Sequence, residues 1–221
     1  MNASQQSITL LNDLEVVAKR LLIDNQDGHD WDHTLRVRHN ARMLAQQENA
    51  APLVVEAAAL LHDIARPQES RDHGKTDHAV RGAQMARAIL LGLGVQDNAF
   101  IEHVAACIAT HRYRRREGNA PPATLEARIV YDADKLDSMG AIGVARALHF
   151  AGRIGARVHN TAEEALASES YSREDSAYRE YLVKLQYLQD AMLTSAGRTL
   201  AQQRHQFMKQ FFDELNLETR P

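Results

Sequence analysis

A chain of 221 residues is long enough for one domain with a sizeable core, or for one domain with a helical extension. Its 44% hydrophobic and 25% charged residues are ordinary for a globular protein, and a net charge of −3 excludes a general attraction to nucleic acid while leaving room for a local basic patch. The single cysteine, Cys107, excludes an internal disulfide, and no apolar stretch reaches membrane-spanning length.

The elements follow in chain order. Ile8 to Asn25 carries Leu10, Leu11, Leu14, Val17, Leu21 and Leu22 at helical spacing, and Asp27-Gly28 breaks it. Asp30 or Asp32 caps a second helix running to about Glu48. Pro52 suits the first turn of a third helix, which ends near Ala65 because Pro67 follows. Gln68 to Thr76 reads as a polar loop. Asp77 caps a fourth helix ending at Gly92–Gly94, and Asp97 caps a fifth running through Thr110. Cys107 sits in that fifth helix as a buried small residue. His111 to Pro122 is expected to be a loop, with Gly118-Asn119 and Pro121-Pro122 as breakers. Thr124 caps a sixth helix carrying Asp134, which continues, bent at Gly140 and Gly143, to about Phe150. Gly152 to Asn160 is a connection, and two further helices are expected near Arg173–Leu193 and Ala196–Leu217. Aromatic residues are only 5% and alanine is abundant, which favours helix–helix packing. The expected fold is all-α. Residues 1–221 are expected to form a single domain, with a core over about 25–150 and a C-terminal helical extension over about 160–217. Met1 to Gln6 lacks the basic and apolar regions of a signal peptide, and with the lone cysteine this makes the cytoplasm the expected compartment.

One pattern inside these helices points to chemistry. The apolar run Ala57-Ala58-Ala59-Leu60-Leu61 ends in His62-Asp63. A carboxylate buried there is costly unless it is paired or binds a metal. Upstream, His33 follows His29 by one turn, so the two share a helix face. Downstream, Tyr131-Asp132-Ala133-Asp134-Lys135-Leu136-Asp137 holds three aspartates. Asp134 and Asp137 share a face, whereas Asp132 and Asp134 differ by about 200° around the helix. Taken singly, each of these residues has an ordinary reading: His33 as a partly buried helix residue, Asp134 as a surface charge.

A histidine, then His-Asp, then an aspartate, each on a helix, resembles the HD superfamily of metal-dependent phosphohydrolases, and within it the bacterial YedJ/YpgQ-like branch. The shared elements are the His29-Asp30-Trp31 opening, the Leu60-Leu61-His62-Asp63-Ile64 core and Asp132-Ala133-Asp134-Lys135-Leu136. The likeness runs from about His29 to the last helix. It implies the metal ligands His33, His62, Asp63 and Asp134, the last chosen because Ala133-Asp134-Lys135-Leu136 matches the family pattern Ala-Asp-x-Leu. Asp137 becomes a supporting catalytic residue and Asp132 a solvent-facing one. The expected cofactor is one divalent ion per chain, Mn²⁺ first, with Fe²⁺, Co²⁺, Ni²⁺ or Mg²⁺ also suited to two imidazoles and two carboxylates. His78 and His111, each at the edge of a polar loop, are read with equal weight as phosphate contacts or ordinary surface positions. His29 is read as supporting the ligands.

The ion would need positive side chains around the phosphoryl group. Arg66 follows the doublet by one turn, Lys135 follows the last ligand, and Arg112, Arg114, Arg115 and Arg116 surround Tyr113. That arginine run is equally a solvated loop or a clamp for a phosphate chain. The resemblance implies a nucleotide phosphohydrolase, in this branch one releasing pyrophosphate from nucleoside triphosphates. A 5′-nucleotidase or other phosphomonoesterase or phosphodiesterase of the HD class is the alternative, and a non-catalytic nucleotide- or metal-binding regulator is the alternative of another class. The expected partner is a small nucleotide, with neither nucleic acid nor membrane, and the last two helices are candidates for a homodimer contact.

Overall fold

The computed structural model describes residues 3–23, 29–112 and 121–219. Among them the secondary structure is helical throughout, with no strand, as the alanine-rich, aromatic-poor composition implies. None of these helices is long and apolar enough to cross a membrane. The contacts gather into two compact units, residues 1–134 and 135–221.

The first unit is built around α3 (Pro52–Leu61), which packs against α1 (Ala3–Leu22), α2 (Trp31–Glu48) and α6 (Asn98–Thr110). A helix covered on several sides must be apolar around most of its circumference. Val55, Ala57, Ala58, Ala59, Leu60 and Leu61 are all fully buried. α5 (His78–Gly92) packs on α6. Gly82 permits a close approach here, since a Cβ on it would meet Ile108 at 3.3 Å and the His62 carbonyl at 3.4 Å. The capping residues behave as their chemistry dictates. Asp30 accepts from His33 N–H, Asp77 from Ala79 and Val80, Asp97 from Phe100, and Thr124 from Ala127 at the start of α7 (Leu125–Leu136).

One stretch of this unit differs from expectation. α3 stops at Leu61 rather than near Ala65, and Arg66–Arg71 forms a short helix, α4, where a loop was expected. Pro67 has no N–H to satisfy, so it costs nothing in the first turn of a new helix.

The second unit holds the end of α7, α8 (Gly140–Arg153), α9 (Ala162–Ala167), α10 (Ala177–Val183), a 3₁₀ segment over Leu185–Ala191, and α11 (Ser195–Glu218). α11 packs on α8 and on the 3₁₀ segment, and Tyr181 of α10 stacks on Phe212 of α11 at 4.6 Å. The expected long helix bent at Gly140 is two helices, because Met139 is extended and Gly140 takes a left-handed φ of 68° that other residues resist. The expected helix over Arg173–Leu193 is likewise divided at Lys184 into α10 and the 3₁₀ segment. α9 was missed, although Thr161 and Glu164 form a reciprocal capping box. The breakers Gly118-Asn119, like Asp27-Gly28, lie outside the described residues.

Candidate metal centre

Five elements of the first unit each deliver a side chain to one place. His33 comes from the first turn of α2, fixed by the Asp30 cap. His62 is the last residue of α3 in helical conformation, and Asp63 follows in the tight turn that Arg66 N–H closes onto the Asp63 carbonyl at 2.8 Å. His78 opens α5, His111 ends α6, and Asp134 lies near the end of α7. His33 and His62 are fully buried, Asp63 and His78 are 2% exposed and His111 1% exposed.

Asp63 is the hub. Its Oδ2 lies 2.9 Å from His29 Nδ1, 3.6 Å from His33 Nε2 and 3.4 Å from His62 Nε2. Its Oδ1 lies 3.2 Å from His78 Nε2 and 3.5 Å from His111 Nε2. On the Oδ2 side, His33 Nε2 is also 3.3 Å from His62 Nε2 and 3.5 Å from Asp134 Oδ1.

The proton positions explain what this arrangement needs. His62 Nδ1 is 2.8 Å from the Ala59 carbonyl, which can only accept, so Nδ1 carries the proton and Nε2 presents a lone pair. His111 Nδ1 is tied in the same way to the Ile108 carbonyl at 2.7 Å. His78 Nδ1 lies 2.7 Å from the Glu69 carboxylate, closer than the 3.1 Å to Arg66 Nη1, and we assign it the donor role. Lone pairs therefore face one another and Asp63 on both sides of its carboxylate. Such crowding is stable only with positive charge among the donors, either a proton or a cation.

The titration tendencies carry the same message. Burial pushes His62 down, but the Asp63 charge and hydrogen bond, with Asp134 and the Ala59 carbonyl, outweigh it and raise the group to about 9. Burial pushes Asp63 up, yet the neighbouring His62 and His29 hold it well below the usual carboxylate range. His111 goes the other way: burial, with the charge of neighbouring His62, lowers it.

Donor spacing tests whether an ion fits. At bond lengths of about 2.1 Å, neighbouring donors around a divalent ion lie about 3.0 Å apart in octahedral and about 3.4 Å in tetrahedral geometry. His33 Nε2–His62 Nε2 at 3.3 Å and His62 Nε2–Asp63 Oδ2 at 3.4 Å fall in that range, and the 3.5 and 3.6 Å from His33 Nε2 to Asp134 and Asp63 lie just beyond it. His29-His33-Asp63, His33-His62-Asp134 and Asp63-His78-His111 each bring their ligand atoms within 4.8 Å of one another. The chemistry of the set, imidazole nitrogens with carboxylates and no thiolate, suits a divalent ion with room for water or phosphate.

Several expected residues fall elsewhere. His78 and His111 are not surface positions: tertiary packing buries both against Asp63. Asp132, expected to face solvent, is fully buried. The Asp137 Oδ2 accepts from Arg146 Nη1 at 2.7 Å. Arg146 also donates to the Asp137 carbonyl, and Arg204 to that of Leu136. Lys135 falls in the second unit. Tyr113, Arg114, Arg115 and Arg116 lie outside the described residues. Cys107 is buried as expected, and burial pushes its thiol up to about 12, so it is inert.

The residue that sequence reasoning missed is Glu69 on α4. It accepts from Arg66 Nη1 at 2.8 Å and Arg112 Nη1 at 2.6 Å as well as from His78. Burial pushes its carboxyl up, but His78, Arg112 and Arg66 together bring it below the ordinary value. Arg66 and Glu69 are three apart, a legible helical pair. The link to His78 exists only in the folded chain.

Known proteins share this arrangement of helices. The HD domain family model matches residues 30–139. The YpgQ protein of Bacillus subtilis (strain 168) is 35% identical over 199 residues, 88% of this chain and 86% of that protein. The crystal structure of B. subtilis YpgQ in complex with ADP superposes with a TM-score of 0.73 at 29% identity, covering 96% of each chain. An HD-superfamily hydrolase of Bacillus thuringiensis gives a TM-score of 0.74 at 29% identity, covering 96% of this chain and 97% of that one.

Proposed function

Because the chain belongs to the HD superfamily of metal-dependent phosphohydrolases, we propose that it hydrolyses nucleotides, releasing pyrophosphate from nucleoside triphosphates and leaving the monophosphate. The observation that carries the reading is the convergence of His62, Asp134 and Asp63 on His33, their donor atoms lying 3.3, 3.5 and 3.6 Å from its Nε2. These four would hold one divalent ion, with Mn²⁺ the first candidate. When bound, such an ion lowers the pKa of coordinated water and polarises a phosphoryl oxygen. The nucleotide class is supported by the ADP in the YpgQ complex.

The chain's own residues supply the rest. His29 steadies Asp63 Oδ2 from the partly exposed side. His111 Nε2, held unprotonated by burial and by the use of Nδ1 on Ile108, can take a proton from an attacking water. Arg66 and Arg112, linked through Glu69, offer guanidinium donors to phosphate oxygens. We give Asp137 a structural part, since its carboxylate is committed to Arg146. Lys135 and Arg114 remain proposed phosphate contacts on sequence alone. The cytoplasm is the proposed compartment.

A second reading has its own support. Asp63 Oδ1, His78 Nε2 and His111 Nε2 form a further three-donor group, and these residues would hold a second ion. In that case His111 would be a ligand rather than a base. Metal content of the purified chain separates the two: one ion per chain supports the first, two the second.

The function is tested by stripping the metal, restoring Mn²⁺, Co²⁺, Ni²⁺ or Mg²⁺ in turn, and identifying the products from nucleoside mono-, di- and triphosphates. Pyrophosphate from triphosphates is the expected result. Orthophosphate from monophosphates alone would make the protein a nucleotidase, and ligand binding without turnover a regulator.

A further inference from the structure

Beside the centre, the first unit contains a cavity of about 480 Å³, within the size range of small-molecule sites. Arg66, Arg112 and Lys75 contribute permanent positive charges to its wall, and Ser70, Thr76 and His73 further polar groups. Among the described residues, no Phe, Tyr, Trp, Leu, Ile, Val or Met lines it. A nucleobase is held by stacking and apolar contact, and these lining residues offer neither. Hydrated, multiply charged oxygens suit it instead.

The two acidic residues of the wall are already engaged. Glu69 accepts from Arg66, Arg112 and His78, and Asp77 accepts the N–H groups of Ala79 and Val80. Each guanidinium has five N–H donors and meets Glu69 through Nη1. The rim opposite is also built in advance. His73 and Gly74 both take left-handed φ values, 56° and 83°, and the Asp72 carboxylate accepts the N–H groups of Lys75 and Thr76. This turn brings Lys75 to the cavity on a pre-organised backbone.

One imidazole and one carboxylate separate cavity and centre: Asp63 Oδ1 meets His78 Nε2 at 3.2 Å, and His78 Nδ1 meets Glu69 at 2.7 Å. We propose that this cavity is the subsite for the diphosphate end of the substrate, held by Arg66, Arg112 and Lys75, with Glu69 as the residue that positions both arginines. The inference rests on the triphosphate reading above and adds where the departing pyrophosphate is held.

The test is calorimetric titration of the full-length chain with inorganic pyrophosphate, with and without EDTA. Pyrophosphate is expected to bind in both conditions, because the subsite's charges belong to the protein. Lys75→Gln and Arg112→Gln should each weaken binding about tenfold or more, the usual worth of a charge-assisted contact. Lys75 is exposed, so its replacement leaves the fold intact, and Lys19→Gln on exposed α1 surface is the control that binds as the parent does. Binding that vanishes with EDTA, or that both variants retain at parental strength, overturns the subsite. The reaction reading fails separately: if triphosphates yield no pyrophosphate while Lys75→Gln still weakens pyrophosphate binding, the subsite stands and the assigned reaction falls.

Discussion

Two buried carboxylates of this protein, Asp63 in the first unit and Asp137 in the second, look alike in sequence and differ in what surrounds them. Asp137 is 1% exposed and meets Arg146, a side chain that is always charged. Asp63 is 2% exposed and meets five imidazoles, His29, His33, His62, His78 and His111, each charged only if it binds a proton. Its compensation must be brought in, as protons or as a metal ion. The charge facing Asp137 is built into its partner, whereas the charge facing Asp63 comes and goes with protons or an ion.

The comparison breaks most sharply at Asp63 itself. Asp63→Ala should lose nearly all bound metal, measured by elemental analysis, and lower turnover by more than about 100-fold, since even residues outside the ligand set cost 10–100-fold. Unchanged metal content would remove Asp63 from the ligand set.

Asp134→Asn should also lose metal and activity. Asp132→Asn should retain metal but lower Tm, because the structure buries Asp132 completely, contrary to the exposed position its helical phase implied. Metal loss from the Asp132 variant with retention by the Asp134 variant would reverse the assignment.

Protonation sharpens the comparison in the metal-free protein. The folded chain holds the His62 proton more tightly than the unfolded chain does, with a pKa of about 9 against 6.5. Its contribution is therefore fully present below 6.5 and is lost as pH rises through 9, a fall of about 3 kcal/mol. Asp63, held low, acts in the opposite sense: its contribution is present above 3.8 and is lost as pH falls through the folded value. Urea unfolding in EDTA should show the loss on the alkaline side. Metal affinity should rise with pH across the same interval, because the ion displaces the His62 proton. A flat profile would mean that His62 is not protonated in the folded apoprotein.

The smallest effect is expected at Asp137. Asp137→Asn weakens the bond to the partly exposed Arg146 and should cost about 2 kcal/mol, or roughly 4–8 °C in Tm, with metal content unchanged. Metal loss would return Asp137 to the centre.

The helices and their caps were legible in the chain because capping and hydrophobic periodicity are local. Asp30, Asp77, Asp97 and Thr124 each act within three residues of their own position. The ordered His33, His62-Asp63 and Asp134 were legible as a family likeness, and the folded chain brings all four together. The short pieces α4 and α9 were harder to read, since six residues carry too little periodicity to stand out from a loop.

The sequence by itself determined the all-helical class, the capped starts of α2, α5, α6 and α7, and a histidine–aspartate constellation suited to a metal. Only the tertiary structure decided that His78 and His111 complete the far side of Asp63, that Glu69 joins His78 to Arg66 and Arg112, and that Asp137 belongs to Arg146. The reason is distance along the chain. A cap or a helical face depends on residues within one turn, while the neighbours of a buried charge come from helices 9 to 48 residues away and are set by how those helices pack.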